Sequence, residues 1–199
     1  RSMNQLFQDA GLPVGVFNLI IGQSADMSED LMTNPGIDGL AFTGSKEAGQ
    51  MLLRRFREIR HRPVIAEMGG KNPCIVMPSA NMEAAAEGIM RAAFGYGGQK
   101  CSACSRVYVH QKASKAFLEA LIEKTKALRI GDPSARDCDL GPLIDDQAVG
   151  RFQAAVKQGK REGELLYGGR NLIDGALAHG NYVEPAIIAG VKEIGRAHV

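Results

Sequence analysis

Short apolar runs rich in valine and isoleucine alternate along this chain with stretches whose apolar residues recur every three or four positions. Runs of the first kind cover residues 14–21, 37–42, 63–66, 74–77, 106–110 and 182–188, and their length and β-branched content predict strands. Between them, residues 45–60 place Ala48, Met51, Leu52, Phe56 and Ile59 on one helical face. Residues 82–94 do the same with Met82, Ala85, Ala86, Ile89, Ala92 and Ala93, behind Asn81 as a helix cap. Ser114 is placed to cap a third helix that carries Phe117, Leu118, Leu121, Ile122, Thr125 and Leu128 and stops at Gly131-Asp132-Pro133. A fourth follows Asp145-Asp146, with Val149, Phe152 and Val156 inward. Alternation of this kind predicts an α/β fold with parallel strands. The ends break the pattern. A helix-like stretch, residues 3–10, opens the chain without a preceding strand, and residues 191–199 close it with no element of their own.

Composition narrows the classes of function. A length of 199 residues fits one large or two small domains, and 45% hydrophobic with 23% charged residues is ordinary for a chain with a core. A net charge of +2 gives no ground for a nucleic-acid or membrane partner. The one dense basic run, residues 54–62, lies inside a helical pattern and reads as a solvated face. No apolar stretch approaches the roughly 20 residues of a membrane span, and the opening RSMNQLFQDAG lacks the apolar core of a signal peptide. With four cysteines and no export signal, a cytoplasmic location and free thiols are expected.

Three short stretches carry candidate chemistry. The first is GYGGQKCSACSR, residues 95–106. Its two cysteines do not read as a metal site, because Cys74 and Cys138 have no close partner and the four histidines are scattered. A redox dithiol belongs after a strand, at a helix N-terminus; here a helix ends, a glycine loop follows and a strand begins. A nucleophile remains, since Gly95, Gly97 and Gly98 let a loop approach a substrate with backbone N–H groups facing the same space. A buried or turn cysteine is the alternative. The second stretch, residues 66–73, sets Glu67 at the end of an apolar strand, ahead of Gly69 and Gly70. Partial burial there would raise the carboxyl toward neutrality and suit it to general-base work, whereas an ion pair with a nearby Arg or Lys would not. The third, Phe42-Thr43-Gly44-Ser45, leads a strand into a helix whose N-terminus suits a phosphate, or is only a serine cap.

Taken together, in this order and spacing, Phe42-Thr43-Gly44-Ser45, Glu67-Met68-Gly69-Gly70-Lys71-Asn72-Pro73 and Gly98-Gln99-Lys100-Cys101 resemble the NAD(P)-dependent aldehyde dehydrogenase superfamily. The resemblance takes in Gly11-Leu12-Pro13, Gly15-Val16 and Asn18 upstream. Downstream it includes Gly131-Asp132-Pro133, Gly141-Pro142-Leu143-Ile144 and Gly168-Gly169. Residues 100–106, Lys-Cys-Ser-Ala-Cys-Ser-Arg, look most like the branch that oxidises glutamate semialdehyde, the 1-pyrroline-5-carboxylate dehydrogenases of proline degradation.

The resemblance implies Cys101 as nucleophile and Glu67 as the base that activates water for hydrolysis of a Cys101 thioester. It implies NAD or NADP as cofactor, with Gly44 and Ser45 against the pyrophosphate and Gly69 and Gly70 close to the nicotinamide. Cys104 has no such role and reads as a bystander. The implied fold is the C-terminal part of a Rossmann-like cofactor domain, residues 1–66, followed by most of the catalytic α/β domain, residues 67–199, both incomplete. Full-length members are much longer. Their oxyanion-hole asparagine and ribose-gripping lysine lie upstream, and their Glu-x-Phe-Gly-Pro motif lies beyond; Glu193-Ile194-Gly195-Arg196 is only a faint echo. The expectation is therefore a fragment with weak or no dehydrogenase activity. Its partners would be a small aldehyde and, through an open sheet edge, other copies in a homo-oligomer. The alternative is a non-catalytic, self-associating α/β remnant whose old site is unused.

Overall fold

The structure, a computed structural model, describes residues 3–191. The chain divides into two compact units, Arg1–Met68 and Gly69–Val199.

In the first unit, α1 (Met3–Asp9) and α2 (Ser24–Thr33) precede a parallel pair, β1 (Leu40–Gly44) and β2 (Val64–Met68), joined through α3 (Lys46–Arg55). The expected strand over residues 14–21 does not form. Gly15 takes a positive φ of 89°, no described strand lies alongside, and Val14 and Ile21 stand 92% and 88% exposed. A strand without a ladder partner has nowhere to place its N–H and C=O groups. Helix α2 escaped the sequence pattern because its apolar residues are few and Gln23 supplies no side-chain cap. Helix α3 stops at Arg55 with Phe56 as its C-cap, short of the expected residue 60, so Ile59 is exposed. Phe56, Met32 and Arg62 form the buried centre of this unit. The Arg62 guanidinium stacks 3.6 Å from the Phe56 ring centroid and donates only to main-chain carbonyls.

In the second unit, β3 (Asn72–Val76) and β4 (Cys104–Val109) are parallel and joined through α4 (Met82–Phe94). The Asn81 side chain caps α4 as the sequence predicts, accepting from the Ala84 N–H at 3.1 Å. Helix α5 (Ser114–Lys126) packs against α4, and Val76, Ala86, Ile89, Met90, Phe117, Ala120 and Leu121 form one core with Ile187. Ser114 is the first residue of α5 rather than its cap, because a single 3-10 turn, Gln111–Ala113, leads into the helix. Helix α6 (Asp146–Glu162) is capped by Asp145, which accepts from the Ala148 N–H at 2.7 Å, and turns Val156 into the interior.

The last pair departs from the expected parallel arrangement. Strand β5 (Glu164–Tyr167), which the pattern did not predict, runs antiparallel to β6 (Ile187–Ala189). Of the apolar run 182–188 only its end joins that ladder; Val183 makes an isolated bridge to Asn171. No helix separates the two strands beyond a single 3-10 turn, so the chain returns without the crossover that parallel pairing requires. Arg170 closes this corner with two bonds, of 2.8 and 3.0 Å, to the buried carboxylate of Glu184. That bond, opposed by burial, holds the Glu184 carboxyl below its ordinary range. The α/β class expected from the alternation is what the structure shows, with an antiparallel pair added. Of the closing stretch 191–199, residues from 192 onward, including the echo at 193–196, lie outside the described residues.

Candidate active site

In the first unit β1 runs through Gly44 into Ser45 and α3. Ser45 caps the helix, its Oγ accepting from the Ala48 N–H at 3.2 Å. The N–H groups of Lys46 and Glu47, in the first turn, have no intrahelical acceptor. Gly44 has a packing reason of its own, because a Cβ there would run into the ring of Phe42. Thr43 pairs with Glu67 in the ladder, so Glu67 and the Thr43-Gly44-Ser45 turn share the C-terminal end of one parallel pair. Alternation along β2 turns Val64, Ala66 and Met68 inward and Ile65 and Glu67 outward. Glu67 is therefore exposed, and the partial burial expected to raise its carboxyl is absent.

In the second unit the glycine cluster, Gly95–Gly98, forms a tight turn whose backbone is left-handed rather than helical at Tyr96 and Gly97. Tyr96, at φ 60°, is the one non-glycine residue with positive φ among the described residues, and Gly97 and Gly98 follow at 64° and 70°. Such backbone persists only where its surroundings hold it. Gln99 is one holder: its Nε2 donates to the Tyr96 carbonyl at 3.2 Å, and its Oε1 accepts from the Ile144 N–H at 3.1 Å. The Gly141-Pro142-Leu143-Ile144 segment is thereby tied to the cysteine loop. Backbone bonds from Lys100 to Gly98 (2.9 Å) and from Ala103 to Lys100 (3.2 Å) then close the turn that carries Cys101.

Cys101 alone of the four cysteines is exposed, and all four are free thiols. Its N–H and that of Ser102 find no acceptor among the described residues. Three consecutive residues before and at the start of β3 hold the stretch that follows. A Cβ on Gly70 would lie 2.7 Å from the Cys101 carbonyl oxygen, so glycine permits the close approach. The Lys71 carbonyl accepts from Arg106 Nη2 at 2.6 Å. The Asn72 amide donates to the carbonyls of Cys101 (2.7 Å) and Ala103 (3.1 Å). Burial, with Arg106 alongside, pushes the Lys71 ammonium down. Gly69 has open space around it. Cys104 is half-buried; burial pushes its thiol up, Cys74 adds to the rise, and a bond to the Arg106 backbone opposes it. That is an unreactive setting, as expected of a bystander.

Sequence reading carried Asn72 and Gln99 only as members of the quoted motifs and gave neither a role of its own. Each is a carboxamide beside a glycine-rich turn, where paired donors and acceptors can replace missing backbone bonds, and that was the available signal.

A family model described as "Aldehyde dehydrogenase family" matches residues 2–198. The chain belongs to the aldehyde dehydrogenase family. Among relatives, it is 36% identical over 197 residues to a 1-pyrroline-5-carboxylate dehydrogenase of Bacillus mycoides, covering 96% of this chain and 38% of that protein. It is 38% identical over 190 residues to 1-pyrroline-5-carboxylate dehydrogenase 1 of Halalkalibacterium halodurans, covering 93% and 36%. Among solved structures, a 1-pyrroline-5-carboxylate dehydrogenase from Thermus with bound NAD superposes with a TM-score of 0.83 at 32% identity, covering 93% of this chain and 36% of that one. HpcC from Thermus thermophilus gives a TM-score of 0.89 at 31% identity, covering 94% and 37%. The chain thus spans between 36% and 38% of the length of these aldehyde dehydrogenase relatives. Among its described residues no group of three or more His, Cys, Asp or Glu is placed to hold a metal ion. No described helix is long and apolar enough to cross a membrane.

Proposed function

We propose that the chain carries the aldehyde-oxidising chemistry of its family, with Cys101 as nucleophile and Glu67 as general base. The observation that carries this reading is the setting of Cys101: the one exposed thiol of four, on a held turn whose Cys101 and Ser102 N–H groups find no acceptor among the described residues, inside a match to the family over residues 2–198. The Cys101 thiolate adds to the aldehyde carbon. A C–S bond forms, the carbonyl π pair moves to oxygen, and the Cys101 N–H donates to the resulting oxyanion. Loss of hydride from that thiohemiacetal leaves a thioester on Cys101. A bound NAD or NADP supplies the hydride acceptor. Glu67 then takes a proton from water as its oxygen adds to the thioester carbon; the C–S bond breaks, the acid leaves and the thiolate returns.

The residues of the first unit fit a dinucleotide's pyrophosphate. Helix α3 presents the Lys46 and Glu47 N–H groups without intrahelical acceptors, next to Gly44 and Ser45, and a helix N-terminus favours an anion. We assign Gly69 and Gly70 to close passage of backbone by the nicotinamide. The Lys100–Arg106 stretch and the names of the relatives favour glutamate semialdehyde as the aldehyde.

The test is to trap the thioester. The chain is mixed with NAD and glutamate semialdehyde, quenched in acid, digested and mapped by mass. An acyl adduct is expected on Cys101, absent in Cys101→Ser and persisting on the order of a hundredfold longer in Glu67→Gln. No adduct, or one spread over the four cysteines, overturns the reading. That outcome would favour a non-catalytic module that self-associates, for which the exposure of Val14, Val16, Ile20 and Ile21 speaks.

A further inference from the structure

We infer that Asn72 is a positioning residue for the nucleophile: its amide clamps the Cys101 and Ala103 carbonyls and so holds the turn from which the Cys101 N–H is aimed. This inference rests on the proposed role of Cys101. Asn72 opens strand β3 and pairs with Cys104, the first residue of β4. Past that pair the ladder has ended, and the chain from Cys101 to Ala103 has no strand partner. The Asn72 side chain takes over, its single Nδ2 donating to the Cys101 carbonyl at 2.7 Å and the Ala103 carbonyl at 3.1 Å. Those oxygens belong to the Cys101–Ser102 and Ala103–Cys104 peptide units, so one planar group holds two of the peptide units that follow Cys101.

No other small side chain reproduces the arrangement. A serine has one donor and an ionised aspartate has none, whereas the carboxamide NH₂ has two. Gly70 makes the approach possible, since a Cβ there would press on the same Cys101 carbonyl. The register next to the clamp is itself irregular: β4 shifts between the pairs of Asn72 and Pro73, so the ladder alone does not define where Cys101 points. The Cys101 N–H, with no acceptor among the described residues, is the group whose aim depends on that turn.

Two electrophiles separate positioning from mere support of the fold. p-Nitrophenyl acetate acylates a thiolate through an oxyanion: the C–S bond forms, the ester C–O bond breaks, and p-nitrophenolate leaves with the electron pair. Iodoacetamide alkylates the same thiolate by displacing iodide and builds no oxyanion. In the full chain, Asn72→Ala and Asn72→Asp are expected to slow acylation of Cys101 at least about tenfold. Alkylation of Cys101 should change less than about twofold. Asn72→Ser, with one donor, should fall between native and Asn72→Ala. The half-buried Cys74 and Cys104 report folding in the same mass map, and their labelling should stay slow. Equal loss of both reactions, fast labelling of Cys74 and Cys104, or unchanged acylation overturns the positioning role. Failure of the underlying reading looks different: the native chain and Cys101→Ser would then acylate at the same rate.

Discussion

Replacing Arg62 with leucine is expected to unfold the first unit. Arg62 is fully buried and its acceptors are the main-chain carbonyls of Met32 (2.5 Å), Asn34 (2.9 Å), Ile37 (3.0 Å) and Phe56 (2.9 Å). Two of these belong to helix ends: Met32 lies in the last turn of α2, and Phe56 caps α3. A helix C-terminus carries partial negative charge, so a cation there is stabilised without a carboxylate. The Phe56 ring covers one face of the guanidinium at 3.6 Å. Leucine would keep much of the volume but take the guanidinium from four carbonyls, of which Asn34 would keep only the Ile37 N–H and Ile37 only Arg60 Nη2. Bonds to charged groups are worth about 1.5–3 kcal/mol each and are not additive, so the loss is set at about 4 kcal/mol. Lysine should recover little, because an ammonium cannot span four acceptors in one plane. Hydrogen exchange checks this: protection in residues 40–68 should collapse while that in residues 72–126 persists. Unchanged exchange in residues 40–68 would show that Arg62 is replaceable.

The second large effect concerns catalysis. Alanine at position 70 would place its Cβ 2.7 Å from the Cys101 carbonyl oxygen, inside the roughly 3.3 Å at which carbon and oxygen ordinarily meet. The opposing atom is backbone, and the Asn72 amide stands 3.1 and 3.2 Å away, so no flexible side chain can absorb the overlap. The Cys101 turn must shift. Displacements near an ångström at a reacting group cost about a hundredfold in rate, and overpacking of this kind costs about 1–3 kcal/mol in stability. Gly70→Ala is thus expected to lose on the order of a hundredfold in p-nitrophenyl acetate acylation. Gly88→Ala, in α4 with open space around it, should keep the native rate. Equal rates in the two variants would mean that the close approach of residue 70 to Cys101 does not matter.

Particular residues explain which parts of this structure were legible in the sequence. Helices α4, α5 and α6 pair a strong apolar stripe with caps or punctuation, Asn81 and Asp145 among them, and local chemistry sufficed to find them. Residues 14–21 read as a strand because Val14, Val16, Ile20 and Ile21 are apolar, but a strand exists only through a partner that no local pattern reveals. The same blindness hid β5, whose pairing with β6 depends on the turn around Gly168-Gly169, where positive φ and the Pro185 carbonyl leave no room for a side chain.

At the candidate site, Cys101, Glu67, Gly44 and Gly70 were found as motif members, yet the structure gives several of them reasons the motifs did not state. Gly44 makes room for Phe42, Gly70 makes room for the Cys101 carbonyl, and Ser45 caps α3. The burial expected for Glu67 failed because strand alternation, which turns Ile65 outward too, decides its face. Asn72 and Gln99 carry the local signal of a carboxamide beside glycines, but their partners lie 29 and 45 residues away, and one sequence does not show which contacts they make.

Timed iodoacetamide labelling, mapped at each of the four cysteines with and without NAD, tests the central claim most directly: that Cys101 is the nucleophile of the proposed reaction. Cys101 should label at least about tenfold faster than Cys74, Cys104 and Cys138, and NAD should change its rate while leaving the other three unaltered. Uniform slow labelling that NAD does not alter would contradict the account.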